Sequence, residues 1–541
     1  MRWWGWGEEG AEQPSLSAPA AAMLHDELGL ADRYLPPVPI EQVRLPEPTL
    51  ADSALGRLAG VVGEENVLQD RLSRVGHAAG RSYPDLVRLR SGDASGAPDA
   101  VVWPGTEAEV ADVLAACDAA GVAVVPFGGG TSVVGGVDPL RNGFPSLISL
   151  DLRRMNRLID TDRVSLTATF EPGVPGPRAD TLLASRGLTL GHFPQSHEFA
   201  TIGGYVATRS AGQASTGYGR IDELVLGLRC VAPAGVVEAK PVPASAAGPS
   251  VRELLVGSEG VLGVITEATL SVRPLPEERR YEGWSFRSFH EGVAAFRSME
   301  QAEASPDVAR LSDEEETRLT MALASSGSAA EKAGKAYLRV RGHEGGCLVI
   351  VGFEGEADEV SRRRSRARSL LRAGGGLQLG ERPGRAWLRG RFAGPYLRDT
   401  LLDRGVLVET LETATTWSRL DELYTAVDGA LRDSLAGRGT PPLVMCHVSH
   451  LYPSGASLYF TFIARQEEGA ELDQWRAAKS AAGDAIVAHH GTITHHHAVG
   501  RDHAPWMPAE VGELGVELLR AAKERLDPRG IMNPGKLLPP A

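Results

Sequence analysis

The chain is 541 residues long, too long for one ordinary hydrophobic core, so two or more domains are expected. Its 43% hydrophobic and 23% charged residues are those of a globular protein, and a formal net charge of -13 excludes the basic face of a nucleic-acid binder. No apolar run reaches membrane-spanning length. Four separated cysteines, Cys117, Cys230, Cys347 and Cys446, read as buried thiols in a reducing compartment, not as a disulfide or metal framework. Neither a signal peptide nor a peroxisomal C-terminal tripeptide is present, so the cytoplasm is the expected location.

Residues 8–24, rich in Ala, Glu, Pro and Ser, read as an irregular arm, and 49–73 have helical periodicity through Leu55, Leu58, Val61 and Val62. A strand at 100–103 precedes a helix opened by Thr106 and Glu109 in a capping-box pattern and closed at Gly121. A second strand, 122–125, runs into Pro126-Phe127-Gly128-Gly129-Gly130-Thr131-Ser132. Such a loop leaves backbone N–H groups free to converge on an anion and reads as a pyrophosphate cradle. A dinucleotide fold of the Rossmann type would place its glycines after the first strand and open a helix there, so this loop belongs to another flavin-type scaffold.

Further strands are expected at 147–150, 166–170 and 226–231, and a helix at 177–185. Between them runs a long polar, glycine-rich stretch, Gln195-Ser196-His197-Glu198-Phe199-Ala200-Thr201, continuing through Gly203-Gly204 to Thr208-Arg209-Ser210-Ala211. Long irregular segments in compact domains are usually functional. Glu259-Gly260-Val261-Leu262-Gly263-Val264-Ile265 combines a turn with a strand, and Pro274-Leu275-Pro276 marks a domain boundary. Beyond it helices are expected at 292–299 and 313–323 and strands at 336–340, 348–352 and 458–463. The basic run 361–368 reads as a solvated helix face. An amphipathic helix over 511–526 stops at Asp527-Pro528 and leads into Ile531-Met532-Asn533-Pro534-Gly535-Lys536.

The glycine loop, the Gly203-Gly204 stretch, the segment 257–265 and the C-terminal tail, in that order, resemble the vanillyl-alcohol-oxidase-type (PCMH-type) FAD flavoproteins. Within that group, Thr494-His495-His496-His497-Ala498-Val499-Gly500 is similar to the HHHGVG of the alkyldihydroxyacetonephosphate synthase family, with Ala498 in place of a glycine. Arg2-Trp3-Trp4-Gly5-Trp6-Gly7, Tyr396-Leu397-Arg398-Asp399 and Ser457-Leu458-Tyr459-Phe460-Thr461-Phe462 resemble further motifs of the same family, with Thr461 in place of an aromatic. The resemblance implies an α+β fold: a PCMH-type FAD-binding domain of two α+β subdomains at 95–275 and an α+β cap at 276–500. Residues 1–94 would form an N-terminal arm and helical segment, and 501–541 a C-terminal segment returning to the FAD domain.

The resemblance also implies function. FAD would lie against residues 126–132, 195–201, 208–211 and 259–265, with Thr201 and Thr208 offering hydroxyls. It would be non-covalent, since no histidine stands in or beside the glycine loop in the sequence. For His495, His496 and His497 three readings compete: a zinc pair lacking a third ligand at recognisable spacing, a surface polar cluster, and acid–base work. The resemblance favours the last, with His496 central, Tyr459 as acid/base and no metal. It assigns Arg398 and Arg310 to activity, and their paired N–H donors suit a substrate phosphate; an ion pair is the alternative for each. The implied reaction replaces the acyl group of an acyl-dihydroxyacetone phosphate by a fatty alcohol without net redox change; the alternative is an FAD-dependent dehydrogenase of 2-hydroxy acids or alcohols. The partners expected are a long-chain, phosphate-bearing lipid, with a peripheral membrane contact through Trp3, Trp4 and Trp6 or a structural role for them, and a second copy of the chain as a homodimer.

Overall fold

Strand Ala100–Val102, helix Glu107–Ala120 and strand Val122–Phe127 form the expected unit in the computed structural model, which describes residues 1–30, 33–323 and 328–540. Thr106 caps the helix by accepting from the Glu109 amide at 3.1 Å, and Gly121 ends it at φ +65°. Ser146–Asp151 lies between the two strands, parallel to both, and Val67–Leu68 adds an antiparallel edge. The C-terminal tail returns to this sheet: the Val124 amide donates to Ile531 O at 2.8 Å and Asn533 N to Val124 O at 2.8 Å.

A second, antiparallel sheet has the order Leu158–Asp162, Thr167–Phe170, Val264–Ser271, Val225–Ala232, Gly235–Ala239. The third has seven antiparallel strands in the order Leu377–Gly380, Glu278–Phe286, Cys347–Gly355, Val308–Ser312, Leu443–Tyr452, Gly455–Arg465, Val406–Thr416. Helices Phe289–Gln301, Ala357–Ala373, Leu420–Gly437 and Glu471–Ala488 bury apolar faces on it, and this is the largest apolar cluster among the described residues. The four cysteines are buried and free. No helix among the described residues is long and apolar enough to cross a membrane.

Several expectations are corrected. The arm at 8–24 is partly helix: Ala18–Leu28 buries Leu24 and Leu28 against Leu401 and Val406. Residues 336–340 are the end of helix Ala329–Val340, not a strand. The stretch 195–219 holds the short helices Ile202–Ala207 and Ser215–Tyr218, and the C-terminal helix is broken at Gly512, φ +77°. Trp3 and Trp6 are buried and Trp4 is half-buried beneath the guanidinium groups of Arg2 and Arg90. The three indoles therefore pack the arm inward, as the structural alternative for them expects.

The basic run also turns inward. Arg364 and Arg368 reach the fully buried Glu282 at 3.1 and 2.6 Å, and Arg363 meets Asp307 at 3.0 Å. Burial alone would raise the Glu282 carboxyl, but the two arginines outweigh it and hold it below the usual range. A depressed carboxyl adds stability above its unfolded pKa and loses that contribution as pH falls through the folded one. Glu282→Ala is expected to cost about 3 kcal/mol at pH 7. Thermal melts should show this as a lowered Tm, with the gap from wild type narrowing in acid.

Candidate active site

Tyr459 lies on strand Gly455–Arg465, where the ladder sets it opposite His447 on one side and Glu412 on the other. Its ring stacks on His447 at 4.9 Å between centroids and on His496 at 5.8 Å, both within 21° of parallel, and meets His497 edge-on at 5.4 Å. The fold thus brings Tyr459 and the histidine run together, as expected from sequence.

What holds the run is Glu412. Its fully buried carboxylate accepts from the consecutive amides of His495, His496 and His497, the last two at 3.1 and 2.6 Å, and from the Thr494 hydroxyl at 2.7 Å. One anion closing three successive N–H groups fixes the backbone and leaves the imidazoles to be placed by their neighbours. Ala498 follows at φ +72°, a left-handed conformation that explains why a glycine suits this position in the resembling motif.

The side chains form a relay. Tyr452 Oη lies 2.7 Å from His495 Nε2, and His495 Nδ1 lies 3.0 Å from His496 Nδ1. His450 approaches both rings, so that nitrogens of His450, His495 and His496 fall within 4.8 Å of one another. This cluster differs from the His495–His497 pair that an extended run would present, and its member that sequence spacing did not reveal is His450. Its nitrogens are engaged elsewhere, Nε2 with Gly212 O at 2.9 Å and Nδ1 with Ser449 and Ser457 at 3.0 and 3.2 Å.

Burial lowers the pKa of His495 and His496 well below the ordinary imidazole value, neighbouring imidazoles adding to the effect and Glu412 opposing it at His496, and takes His497 to about 3. The run is neutral at physiological pH. His496 therefore cannot supply the cation that a tyrosinate would need. Burial pushes the Tyr459 phenol up to about 12, with Thr410 and Arg310 pulling weakly the other way. At physiological pH Tyr459 is therefore protonated and His496 neutral.

Arg310 does not contact Tyr459 directly. Its guanidinium donates to Glu316 at 2.6 Å and lies 3.0 Å from His447 Nε2, and Glu316 in turn lies 3.1 Å from His447 Nδ1. The ion-pair alternative describes this geometry, with His447 carrying it to the Tyr459 ring. Arg398 differs. Its Nη1 donates to Arg81 O at 2.7 Å, while Nε and Nη2 are buried without a hydrogen-bond partner. Its charge is met in part by the neighbouring Asp399 carboxylate, 3.9 Å from Nε. The Arg81 amide itself donates to Ser132 O at 2.6 Å, so Arg398 is tied to the end of the glycine loop through Arg81.

The sequence segments expected to bind FAD converge. A Cβ on Gly128 would meet Thr201 Oγ1 at 2.5 Å, and one on Gly129 would meet Phe199 O at 2.0 Å. The loop 126–132 is thus pressed on 195–201, which only glycine permits. The Glu259 amide donates to Ala207 O at 3.0 Å, joining 208–211 and 259–265, and a Cβ on Gly136 would come within 3.4 Å of Glu259 Oε2. A glycine cradle of this kind, lined by backbone, fits the pyrophosphate of FAD.

Not every side chain in these segments is free. The Thr201 hydroxyl accepts from Gly204 N, and the Thr208 hydroxyl is spent on Gly204 O at 2.9 Å. Arg209 is tied to Val256 O, Glu253 and Asp222, and Ser210 to His192. His197 pairs with Asp180 at 3.0 Å and Tyr205 at 3.3 Å, while Glu198 accepts from Trp6 Nε1 at 3.3 Å. Val264 and Ile265 pair with Val231 and Cys230, and the strand on their other side begins only opposite Ala268. One histidine does stand beside the glycine loop in space. His77 packs on Phe127 at 4.3 Å, yet both its ring nitrogens are taken, by Ser73 O and Asp151.

A glycine cradle of this kind, with a large antiparallel sheet holding a buried tyrosine–histidine cluster, fits an FAD-linked oxidase-type flavoprotein. Accordingly, residues 98–239 match the family described as "FAD binding domain" and residues 275–537 that of "FAD linked oxidases, C-terminal domain". More particularly, the chain belongs to the alkyldihydroxyacetonephosphate synthase family. It is 37% identical over 506 residues to the alkyldihydroxyacetonephosphate synthase of Trypanosoma brucei brucei, covering 92% of this chain and 82% of that one. To the enzyme of the same name from Dictyostelium discoideum it is 34% identical, covering 93% and 84%. A solved alkyldihydroxyacetonephosphate synthase superposes with a TM-score of 0.86 at 30% identity, over 99% of both chains. The protein is an FAD-dependent enzyme of α+β, PCMH-type fold.

Sequence reasoning missed Glu412, His447, His450, Glu316 and Tyr452. A signal existed for one of them: Glu412, with Glu409, interrupts an otherwise apolar and Thr-rich strand, Val406–Thr416, and charges in such a run are retained for a purpose. If Glu412 fixes the run, Glu412→Ala should retain its flavin spectrum yet lose about 100-fold in kcat, or about 2.7 kcal/mol. Steady-state kinetics on the flavin-loaded variant checks this.

Proposed function

We propose that the chain exchanges the acyl group of an acyl-dihydroxyacetone phosphate for a long-chain alcohol, forming an ether and releasing a fatty acid. The observation that carries this reading is the protonated Tyr459 phenol stacked between His447 and the neutral His496, on a run anchored by Glu412. Together with the family membership, that pair offers one donor and one acceptor in a site that burial keeps dry. The reaction asks for both: a proton for the departing carboxylate and a base for the incoming alcohol.

Bound FAD supplies a ring nitrogen able to carry the substrate carbon between the two halves of a redox-neutral exchange. The chain's own residues do the rest. Tyr459 donates its proton to the leaving carboxylate oxygen. His496, kept neutral by burial and oriented through His495 and Tyr452, accepts the alcohol proton. Arg398 presents Nε and Nη2, which make no hydrogen bond, to the substrate phosphate, and Arg310 sets His447 beneath the Tyr459 ring. FAD is held without a covalent bond, since His77 has no free nitrogen and Cys117 and Cys230 are buried with their thiols pushed up to about 12.

Two kinds of measurement test this, the first of activity and the second of flavin attachment. The holoenzyme, kept anaerobic, is given an acyl-dihydroxyacetone phosphate with hexadecanol and, separately, a set of 2-hydroxy acids. Ether formation without lasting flavin bleaching is expected in the first mixture; bleaching by a hydroxy acid with no ether in the first would replace the proposal by a dehydrogenase. Tyr459→Phe should lower turnover at least 100-fold, and since the phenol titrates near 12, wild-type kcat should show no basic limb from it below about pH 10. As the second measurement, acid precipitation should release all the flavin into the supernatant; flavin retained in the pellet would contradict the non-covalent assignment.

A further inference from the structure

Glu259 is buried where three distant segments meet, and the proposed mechanism does not use it. Its Oε1 accepts from Val499 N at 2.9 Å and its Oε2 from Gly500 N at 2.8 Å, the amides that close the histidine run. Its own carbonyl accepts from Asn533 Nδ2 at 2.6 Å, and the same amide group donates to Gly136 O at 3.0 Å. The Glu259 backbone adopts φ +52° and Asn533 φ +37°, unusual for side chains other than glycine, so the surroundings enforce this meeting point. Glu412 grips the front of the run from the cap sheet, and Glu259 grips its end from a segment assigned to the flavin.

We propose that Glu259 is a positioning residue, whose ionised carboxylate couples the flavin cradle to the histidine run and so sets His496 relative to the flavin and Tyr459. The inference rests on the reaction proposed above for its kinetic consequence, though not for the coupling itself. A neutral carboxyl offers one good acceptor where two amides need one each, so protonation releases part of the run.

Burial raises the Glu259 carboxyl to about 7, against the pull of the two amides and of Lys536. The charges around it come from each neighbouring segment. The tail supplies Lys536, which donates to Asp138 O at 2.8 Å. The glycine-loop continuation supplies Asp138, which is paired with Arg501 at 3.0 Å and approached by Arg88 at 3.4 Å. From the adjoining helix end, Arg209 is already held by Asp222 and Glu253. The histidines titrate far below this range, so they cannot produce a transition near neutrality.

With the folded pKa raised, ionised Glu259 lowers stability as pH rises while the coupling requires the ionised form. The ionised fraction falls about tenfold from pH 8 to pH 6. Wild-type holoenzyme should therefore show an acid limb in kcat with a midpoint near pH 7. Glu259→Gln should keep stoichiometric FAD, lose at least tenfold in kcat at pH 8 with little change in KM, and lack that limb. A variant with wild-type kcat and pH profile, or one whose only defect is FAD loss cured by added FAD, would overturn the proposal. Should Glu259→Gln not fold, hydrogen exchange at the Val499 and Gly500 amides of wild-type holoenzyme decides instead. Protection corrected for intrinsic rates should drop about tenfold between pH 8 and pH 6, and unchanged protection would overturn the coupling. If wild type forms no ether product, the proposed reaction fails, while the exchange measurement still tests the coupling.

Discussion

The Glu412 carboxylate, buried in the cap sheet and closed by three consecutive backbone amides, is the constraint on which the site depends. A desolvated carboxylate is expensive unless its lone pairs are filled, and filling them with successive N–H groups leaves the donor segment little conformational freedom. The cost of burying one charge is thereby converted into the fixed geometry of His495, His496 and His497. Because Glu412 also stands opposite Tyr459 in the ladder, the same strand pairing that builds the sheet sets the phenol against the run.

Burial does a second thing here. Removing water from several imidazoles at once lowers the proton affinity of each, and their mutual repulsion lowers it further. The same desolvation raises that of the phenol. Desolvation outweighs even the Glu412 carboxylate beside His496: the tyrosine keeps its proton and the histidines stay neutral. Arg310, which lies 3.0 Å from His447, is paired with Glu316 at 2.6 Å. Its contribution is alignment more than charge.

Much of this was legible in the chain because it is written in local patterns. Gly128, Gly129 and Gly130 follow an apolar strand, and a side chain at any of them would strike Thr201, Phe199 or the Phe127 ring, so glycine here reports packing directly. The helix at Glu107–Ala120 declares both its ends through Thr106 and Gly121. What was hidden depends on partners remote in sequence. The arginines of 361–368 look solvated until strand Glu278–Phe286 brings Glu282 beneath Arg364 and Arg368. The five residues 336–340 look like a strand because Tyr337, Leu338 and Val340 suit one, yet Ser328 caps a helix that begins at Ala329 and carries through them. His450 could not be joined to His495 by spacing, because a strand and a long helix separate them along the chain.

The two carboxylates at either end of the histidine run belong to different tasks. Glu412 is satisfied by four donors and sits in rigid sheet, so it resists change. Glu259 has two backbone donors, lies on a turn with a left-handed backbone, and shares its surroundings with Lys536 and the tail that adds to the first sheet. An enzyme whose cofactor cradle and catalytic groups come from separate sheets must transmit the placement of one to the other. Apolar packing alone tolerates small slides, whereas paired amide–carboxylate bonds do not. A polar clasp at the junction therefore specifies the register between cradle and chemistry, and the closing of the tail over Val124 brings Asn533 to the point where that clasp is built.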